Sequence, residues 1–240
     1  MPIQPITKVM VAIVLATSLA ACGGGDGGGS PQTPPAPTTF SFPLDSAMSS
    51  IAQSSHQFTV TGKDSTGTTW SAAVSLSPGA PAMFEGQQAK TTNQTVTISR
   101  NGTQVAQSQE DLFFSVSPFK ALGSKGLTGD YSVASDQHDL PVSASPPPGG
   151  QVPSPLDTIR TYKDSTKTVL TAITTRTWTL TRDPNAFQEP VAWFCINSVT
   201  DLLPGTDVVT ETDCYKFDTS GNVLAFMLLG TFGGQSVTLQ

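Results

Sequence analysis

The sequence predicts an all-β fold of antiparallel strands and hairpins, forming one or two small sandwich- or barrel-like modules behind a disordered tether. Three observations predict it. Apolar and polar residues alternate with period two through most of the body, as strands with one buried face require. Turn-forming residues recur between these runs. No stretch between them carries the helical periodicity of a crossover, so neighbouring strands must be antiparallel.

Weak helical periodicity is confined to Leu44–Gln53. The first strand pair is Phe58–Thr61 and Trp70–Ser77, joined by the turn-rich segment Gly62–Gly67. In the second run Trp70, Ala72, Val74 and Leu76 share one face, which makes it the core face. Thr95–Arg100 and Thr103–Gln107 flank Asn101-Gly102, a dipeptide that tolerates positive φ at both turn centres and so predicts a tight hairpin. Leu112–Val116 and Tyr131–Val133 continue the series. Further strands are expected at Thr175–Leu180, Val191–Ser198, Val208–Phe217, Val223–Leu229 and Ser236–Leu239, with a turn at Asp218–Asn222. Lys-Asp-Ser-Thr occurs at Lys63 and again at Lys163, and a recurring hairpin turn explains it better than an internal duplication.

Two proline-rich stretches divide the chain. Cys22–Thr39 combines a glycine-rich coil with a polyproline-like half and cannot bury enough apolar area to order itself. Its root-mean-square reach is on the order of 20 to 30 Å. Pro141–Pro155 includes Pro146-Pro147-Pro148, and prolines cannot donate to a sheet ladder. The expected organisation is a leader (1–21), a tether (22–39), an N-terminal β module (40–140), a proline-rich linker (141–155) and a C-terminal β module (156–240).

Lys8 is the only charged side chain before the apolar run Val9–Leu15, and Ala16–Ala21 completes it. The run is too short to span a bilayer and fits a cleaved secretory signal. It ends in Leu19-Ala20-Ala21-Cys22, followed by Gly23. This leader and tether resemble those of bacterial lipoproteins processed by signal peptidase II. The resemblance covers residues 1–39 and ties the rest to no particular family. It implies cleavage before Cys22, acylation of Cys22 with palmitate-type chains, and attachment to the membrane through that anchor. Gly23, where an Asp would favour retention, implies delivery to the outer membrane of a Gram-negative cell. Several acyl chains, at about 0.8 kcal/mol per buried methylene, make a stable anchor.

The formal net charge is −6, and loss of residues 1–21 removes Lys8 and no carboxylate, giving −7. Basic residues are scattered singly, so nothing here fits a nucleic-acid partner. With Cys22 acylated, Cys195 and Cys214 remain in an oxidising compartment, and a disulfide between them closes a loop of about 20 residues, worth roughly 3 kcal/mol. If they face each other across one hairpin, facing positions sum to 409. The turn then centres on Pro204-Gly205, and Asn197 meets Thr212 while Val199 meets Thr210.

Motifs for catalysis are missing: there is no His-Glu-x-x-His, Gly-x-Ser-x-Gly or phosphate loop. His56 and His138 are the two histidines; Asp136–Asp139 brackets His138 with potential metal ligands but reads as a solvated loop. Glu110 and Asp111 point to opposite faces of a strand. Glu211 and Asp213 share a face, with Asp207 nearby, and read as a solvated patch beside the disulfide. Trp70 and Trp178 fall on core faces, which leaves Trp193, beside Cys195, as the indole available to a ligand such as a sugar. An apolar cavity between the strands carrying Phe226 and Leu228 is an alternative. The expectation is a non-enzymatic outer-membrane lipoprotein, without cofactor or metal, that binds an unknown protein or glycan or serves envelope assembly. The alternatives are a carrier of lipid or another hydrophobic ligand, a carbohydrate-binding module and, last, a hydrolase needing His56 or His138.

Overall fold

The computed structural model describes residues 40–147, 152–183, 190–232 and 234–240. The leader, Cys22 and the tether lie outside the described residues, as does part of the proline-rich segment. The chain opens with helix α1 (Leu44–Gln53) and continues as strands β1 (His56–Lys63), β2 (Thr69–Pro78), β3 (Ala82–Phe84), β4 (Gln87–Arg100) and β5 (Thr103–Val116). Then come β6 (Phe119–Gly126), β7 (Tyr131–Ser135), β8 (Ser154–Tyr162) and β9 (Leu170–Arg182). The last are β10 (Val191–Leu202), β11 (Val208–Asp218), β12 (Val223–Phe232) and β13 (Gln235–Leu239). The all-β expectation holds. Apart from β3, which pairs only with β4, the strands form one meander in the order β1-β2-β4-β5-β6-β7-β8-β9-β10-β11-β12-β13, each antiparallel to the next.

The sheet curls into a barrel whose two edge strands meet over a short stretch. Thr61 and Gln240 exchange backbone hydrogen bonds (3.3 and 3.1 Å), and the Ser65 hydroxyl donates to Gln235 (2.8 Å). Gly62 makes the approach possible, because a Cβ there would sit 2.0 Å from the Thr238 carbonyl oxygen. Beyond that contact the seam is held by side chains. Phe58 of β1 stacks on Phe226 of β12 (5.2 Å), and Trp70 of β2 stacks on Phe232 (5.6 Å).

The sheet corrects the expected boundary at 141–155. Strands β7 and β8, on either side of it, pair directly from Tyr131–Tyr162 to Ser135–Thr158, and residues 40 to 240 form one compact unit. The described part of the proline-rich segment is a long connection at one end of the barrel, fixed by the bridge between Phe42 and Ala144.

Helix α1 closes that same end. Leu44, Ala47, Met48 and Ile51 follow the i, i+3, i+4, i+7 spacing, and all four are buried in the main core. The Asp45 carboxylate, in the first turn, accepts the Phe119 backbone N–H (2.7 Å), while the Ser49 and Thr92 hydroxyls tie the helix to β5 and β4 through Val116 O and Ala52 O. At the opposite end, the loops 64–68, 126–130 and 164–168 share one construction with 218–222 on the helix side. In three of them a leading Asp carboxylate accepts backbone N–H groups: Asp64 from Thr66 and Thr68, Asp164 from Thr166, Asp218 from Ser220 and Asn222. The fourth position takes positive φ in each: Gly67, Gly129, Lys167 and Gly221. The repeated Lys-Asp-Ser-Thr is therefore a repeated turn.

Strands β10 and β11 follow the expected register: Cys195 faces Cys214, Asn197 faces Thr212 and Val199 faces Thr210. The two cysteines are bonded, with Cα atoms 4.0 Å apart. Outward-facing positions are rich in Thr, Ser and Gln, as at Thr175, Thr177, Thr179 and Thr181 on β9 and Ser71 and Ser75 on β2. That is the reverse of the apolar band a membrane-spanning barrel turns to lipid. A second, smaller core lies on the outside, where Phe84 of β3 stacks on Phe113 (4.4 Å) and Tyr131 (5.3 Å).

Two glycines share a positive φ, Gly123 at +150°, but differ in the room around them. Gly67 has φ +83° and open space around its Cβ position. A Cβ on Gly123 would lie 2.0 Å from the Ser132 carbonyl oxygen and 2.7 Å from the Phe84 ring. Gly67→Ala should therefore cost about 1–2 kcal/mol in denaturant unfolding, and Gly123→Ala clearly more, with Phe84 displaced. Equal losses would show that the Phe84 flap is not seated on Gly123.

Candidate functional site

Twelve strands enclose more space than their inward side chains fill; about eight are filled by side chains alone. On the seam side the interior is solid. Trp70, Val74, Phe226, Leu228 and Leu239 are buried there among the helix residues. The sequence expectation of a cavity between Phe226 and Leu228 is thus corrected, since these two residues pack the core instead. Away from the seam a cavity of about 430 Å³ remains, lined by strands β4 to β11, Leu76 of β2 and the last turns of α1.

Part of its lining is apolar: Ile51, Leu76, Leu112, Phe114, Ile159 and Ile196. Alternating with these are charged side chains: Glu110 of β5, Asp157 of β8, Arg176 of β9, and Glu211 and Asp213 of β11, with the Tyr215 phenol beside them. Register explains their meeting. Arg176 faces Ser198 across β9–β10, and Ser198 faces Glu211 across β10–β11, so all three point inward in one row. Ile196 and Asp213 form part of the next row. A bulge between Pro155 and Asp157 lets both Leu156 and Asp157 face the lumen, a common use of bulges beside sites. It aims Asp157 at Arg176, and the pair is bidentate, Nε–Oδ1 2.6 Å and Nη2–Oδ2 2.5 Å.

The structure corrects the placing of Glu211 and Asp213 beside the disulfide, while Glu211 stays exposed to solvent and Asp213 is half-buried. They stand on the face opposite Cys214 and line the lumen with Tyr215. Removal from bulk water pushes the Asp213 carboxyl up to about 8, the Glu211 charge pushes the same way, and Arg176 opposes both. Burial also raises Glu211, with Glu110 adding like-charge repulsion, and raises the Tyr215 phenol.

A recess of about 540 Å³ adjoins the cavity and shares Glu110, Ser124 and Ser132 with it. It lies where β5 and β6 part: their pairing stops at Glu110–Gly126, and Thr103–Gln109 of β5 continues with β4 alone. Glu110 thus stands at the threshold between recess and lumen.

The other candidates fall elsewhere. Trp70 and Trp178 are core residues, as expected, at 5% and 8% exposure. Trp193 lies half-buried on the outer face with Cys195, its ring under the Lys216 ammonium (5.6 Å), away from the cavity. His138 borders the cavity, its backbone N–H bonded to Leu156 O (2.8 Å). His56 stacks on Phe58 (5.6 Å) with Nε2 buried and unpartnered, and burial lowers its pKa. Among the described residues no group of three or more His, Cys, Asp or Glu is placed to hold a metal, and no helix is long and apolar enough to cross a membrane.

Sequence reasoning missed Arg176, Asp157, Tyr215 and the inward role of Glu110. The signal for Tyr215 was available: with Cys214 facing Cys195, parity puts Glu211, Asp213 and Tyr215 together on the other face. Compared with family models, curated proteins and solved structures, the chain matches none.

Asp213 gives the site a pH signature. Its ordinary carboxyl value is 3.8 and its folded value about 8, so between these the folded protein keeps a proton that the unfolded chain releases. Stability should fall as pH rises through that window. Glu110, Asp157, Arg176, Glu211 and Tyr215 surround the group and are common to both states of the test. Denaturant midpoints should be higher at pH 5 than at pH 8.5, and Asp213→Asn should reduce that difference. An unchanged difference in the variant would place Asp213 in ordinary solvent.

Proposed function

We propose that this chain is a lipid-anchored binding protein of the bacterial outer membrane, holding a small molecule in the lumen of its barrel. The observation that carries the reading is the cavity of about 430 Å³, in whose lining apolar side chains alternate with charged ones. Its size and mixed lining are those of small-molecule pockets, in which apolar area supplies affinity and a few polar groups set orientation. The recess beside β5 offers a route in that leaves the barrel wall intact.

Binding fits the site better than catalysis. Glu211 and Asp213 are neighbours on one strand rather than a pair straddling a bond. Among the described residues no hydrogen bond joins either histidine side chain to a hydroxyl or carboxylate. The anchor rests on Leu19-Ala20-Ala21-Cys22, and the tether after it has the length to hold the barrel clear of lipid headgroups.

Both parts are tested in one host. Expressed with its leader in a Gram-negative cell, the chain should be cleaved and acylated, and Cys22→Ser should accumulate as unacylated precursor. The purified protein should bind the neutral fluorophore N-phenyl-1-naphthylamine, and Ser198→Phe or Thr200→Phe, which fill the lumen, should weaken it at least ten-fold. Normal processing of Cys22→Ser overturns the anchor. Unchanged fluorophore binding in folded lumen variants overturns the lumen as the site.

A further inference from the structure

We infer that the lumen takes an organic cation, a protonated amine on an apolar body, with the amine among Glu110, Glu211 and Asp213 and the body against Leu112, Phe114 and Ile196. This rests on the reading of the lumen as a binding cavity and names the class of ligand.

The first argument is the balance of charge around the cavity. Its two permanent cations are already engaged, Arg176 by both oxygens of Asp157 and Lys120 by Asp139 (2.7 Å). Glu110, Glu211 and Asp213 make no ion pair or side-chain hydrogen bond among the described residues; the charge of Arg176, already paired with Asp157, reaches Asp213 without bonding it. An anionic ligand would meet three carboxyls and no free cation. A cationic one supplies what the wall lacks.

The second argument is independent of the acids as a group. The Asp213 carboxyl and the Tyr215 hydroxyl belong to half-buried residues and make no hydrogen bond among the described residues. What accessible surface they keep is turned to the cavity, which both line. Buried polar groups are ordinarily paired, because leaving one unpaired costs free energy. Two such groups aimed at one space mark it as the place of a missing polar partner, and the acids beside them favour a cationic one. An ammonium offers three N–H donors and no acceptor, which suits carboxylates and a phenol oxygen.

The third argument is the route. Glu110 stands where recess meets lumen, so a cation entering beside β5 meets negative potential first and is drawn inward. Small hydrated ions would gain nothing from Leu112, Phe114 and Ile196, the apolar side chains that alternate with the acids. Arg176–Asp157 closes the row as a neutral pair and keeps Arg176 from taking the amine's place.

Proton balance follows. An arriving ammonium favours ionised Asp213 and Glu211, which release protons to solvent as it binds. Affinity should therefore rise between pH 6 and pH 8, with Glu110, Asp157, Arg176, Glu211, Asp213, Tyr215, Lys120 and His138 the titratable or charged groups facing the bound amine.

An isosteric series tests it by titration calorimetry on the full chain at pH 7.5: 1-naphthylmethylamine, 1-naphthylmethanol and 1-naphthoate. The amine should bind at least ten-fold more tightly than the alcohol, and the carboxylate more weakly than either. The double variant Glu211→Gln, Asp213→Asn should bring the amine down to the alcohol's affinity and leave the alcohol unchanged. Alcohol binding equal to or tighter than the amine, abolished by Ser198→Phe, overturns the cation and leaves the lumen site standing. Binding of none of the three overturns both.

Discussion

The volume enclosed by twelve strands governs the rest of this structure. A barrel's diameter grows with strand number, and at twelve the inward side chains do not meet across the middle. The chain fills the excess in two ways. It draws its edges together, so that aromatic residues of β1 and β2 reach β12 across the seam. It also seats the apolar stripe of α1 at one end. What these leave is the cavity beneath β4 to β11.

Into that remainder the chain puts charge, which a core built only for stability would not hold. A carboxyl drawn out of bulk water without a bonded partner is costly, and at Asp213 that withdrawal, with the Glu211 charge beside it, raises proton affinity. Arg176 and Asp157 show the contrast: the same lumen holds a satisfied, bidentate pair one row away. A barrel wall stapled by Cys195–Cys214 on its outer face and by repeated Asp-led turns at its ends can tolerate such a cost locally.

Local chemistry was legible in the sequence wherever one residue type dictates one geometry. Asn101 and Gly102 take φ of 50° and 79°, as the hairpin required. Cys195 and Cys214 fixed a register that holds along the whole of β10 and β11. Trp70 was placed in the core by its alternation with Ala72 and Val74, and it is there. Helix α1 runs over Leu44–Gln53, as its periodicity suggested. The unity of the fold was hidden, because prolines in 141–155 forbid a strand within that segment but say nothing of the strands on either side. Pairing of β7 with β8 depends on backbone groups that carry no sequence signature. The site was hidden for a related reason: Glu110, Asp157, Arg176 and Asp213 come from four strands, and only curling of the sheet brings them together. Polar residues on an inward face also imitate a solvated outer one, so the pattern at Glu211 and Asp213 does not by itself reveal a lumen.

The enclosure of those carboxyls is the claim on which the ligand reading depends, and it can be measured without any ligand. Carbon-13 NMR titration of the Asp carboxyl resonances, with Asp213 assigned by its loss in Asp213→Asn, reads the group directly. A midpoint near about 8 is the result expected for a carboxyl enclosed beside Glu211. A midpoint near the ordinary value of about 4 would show Asp213 in bulk water and would contradict the enclosed lumen.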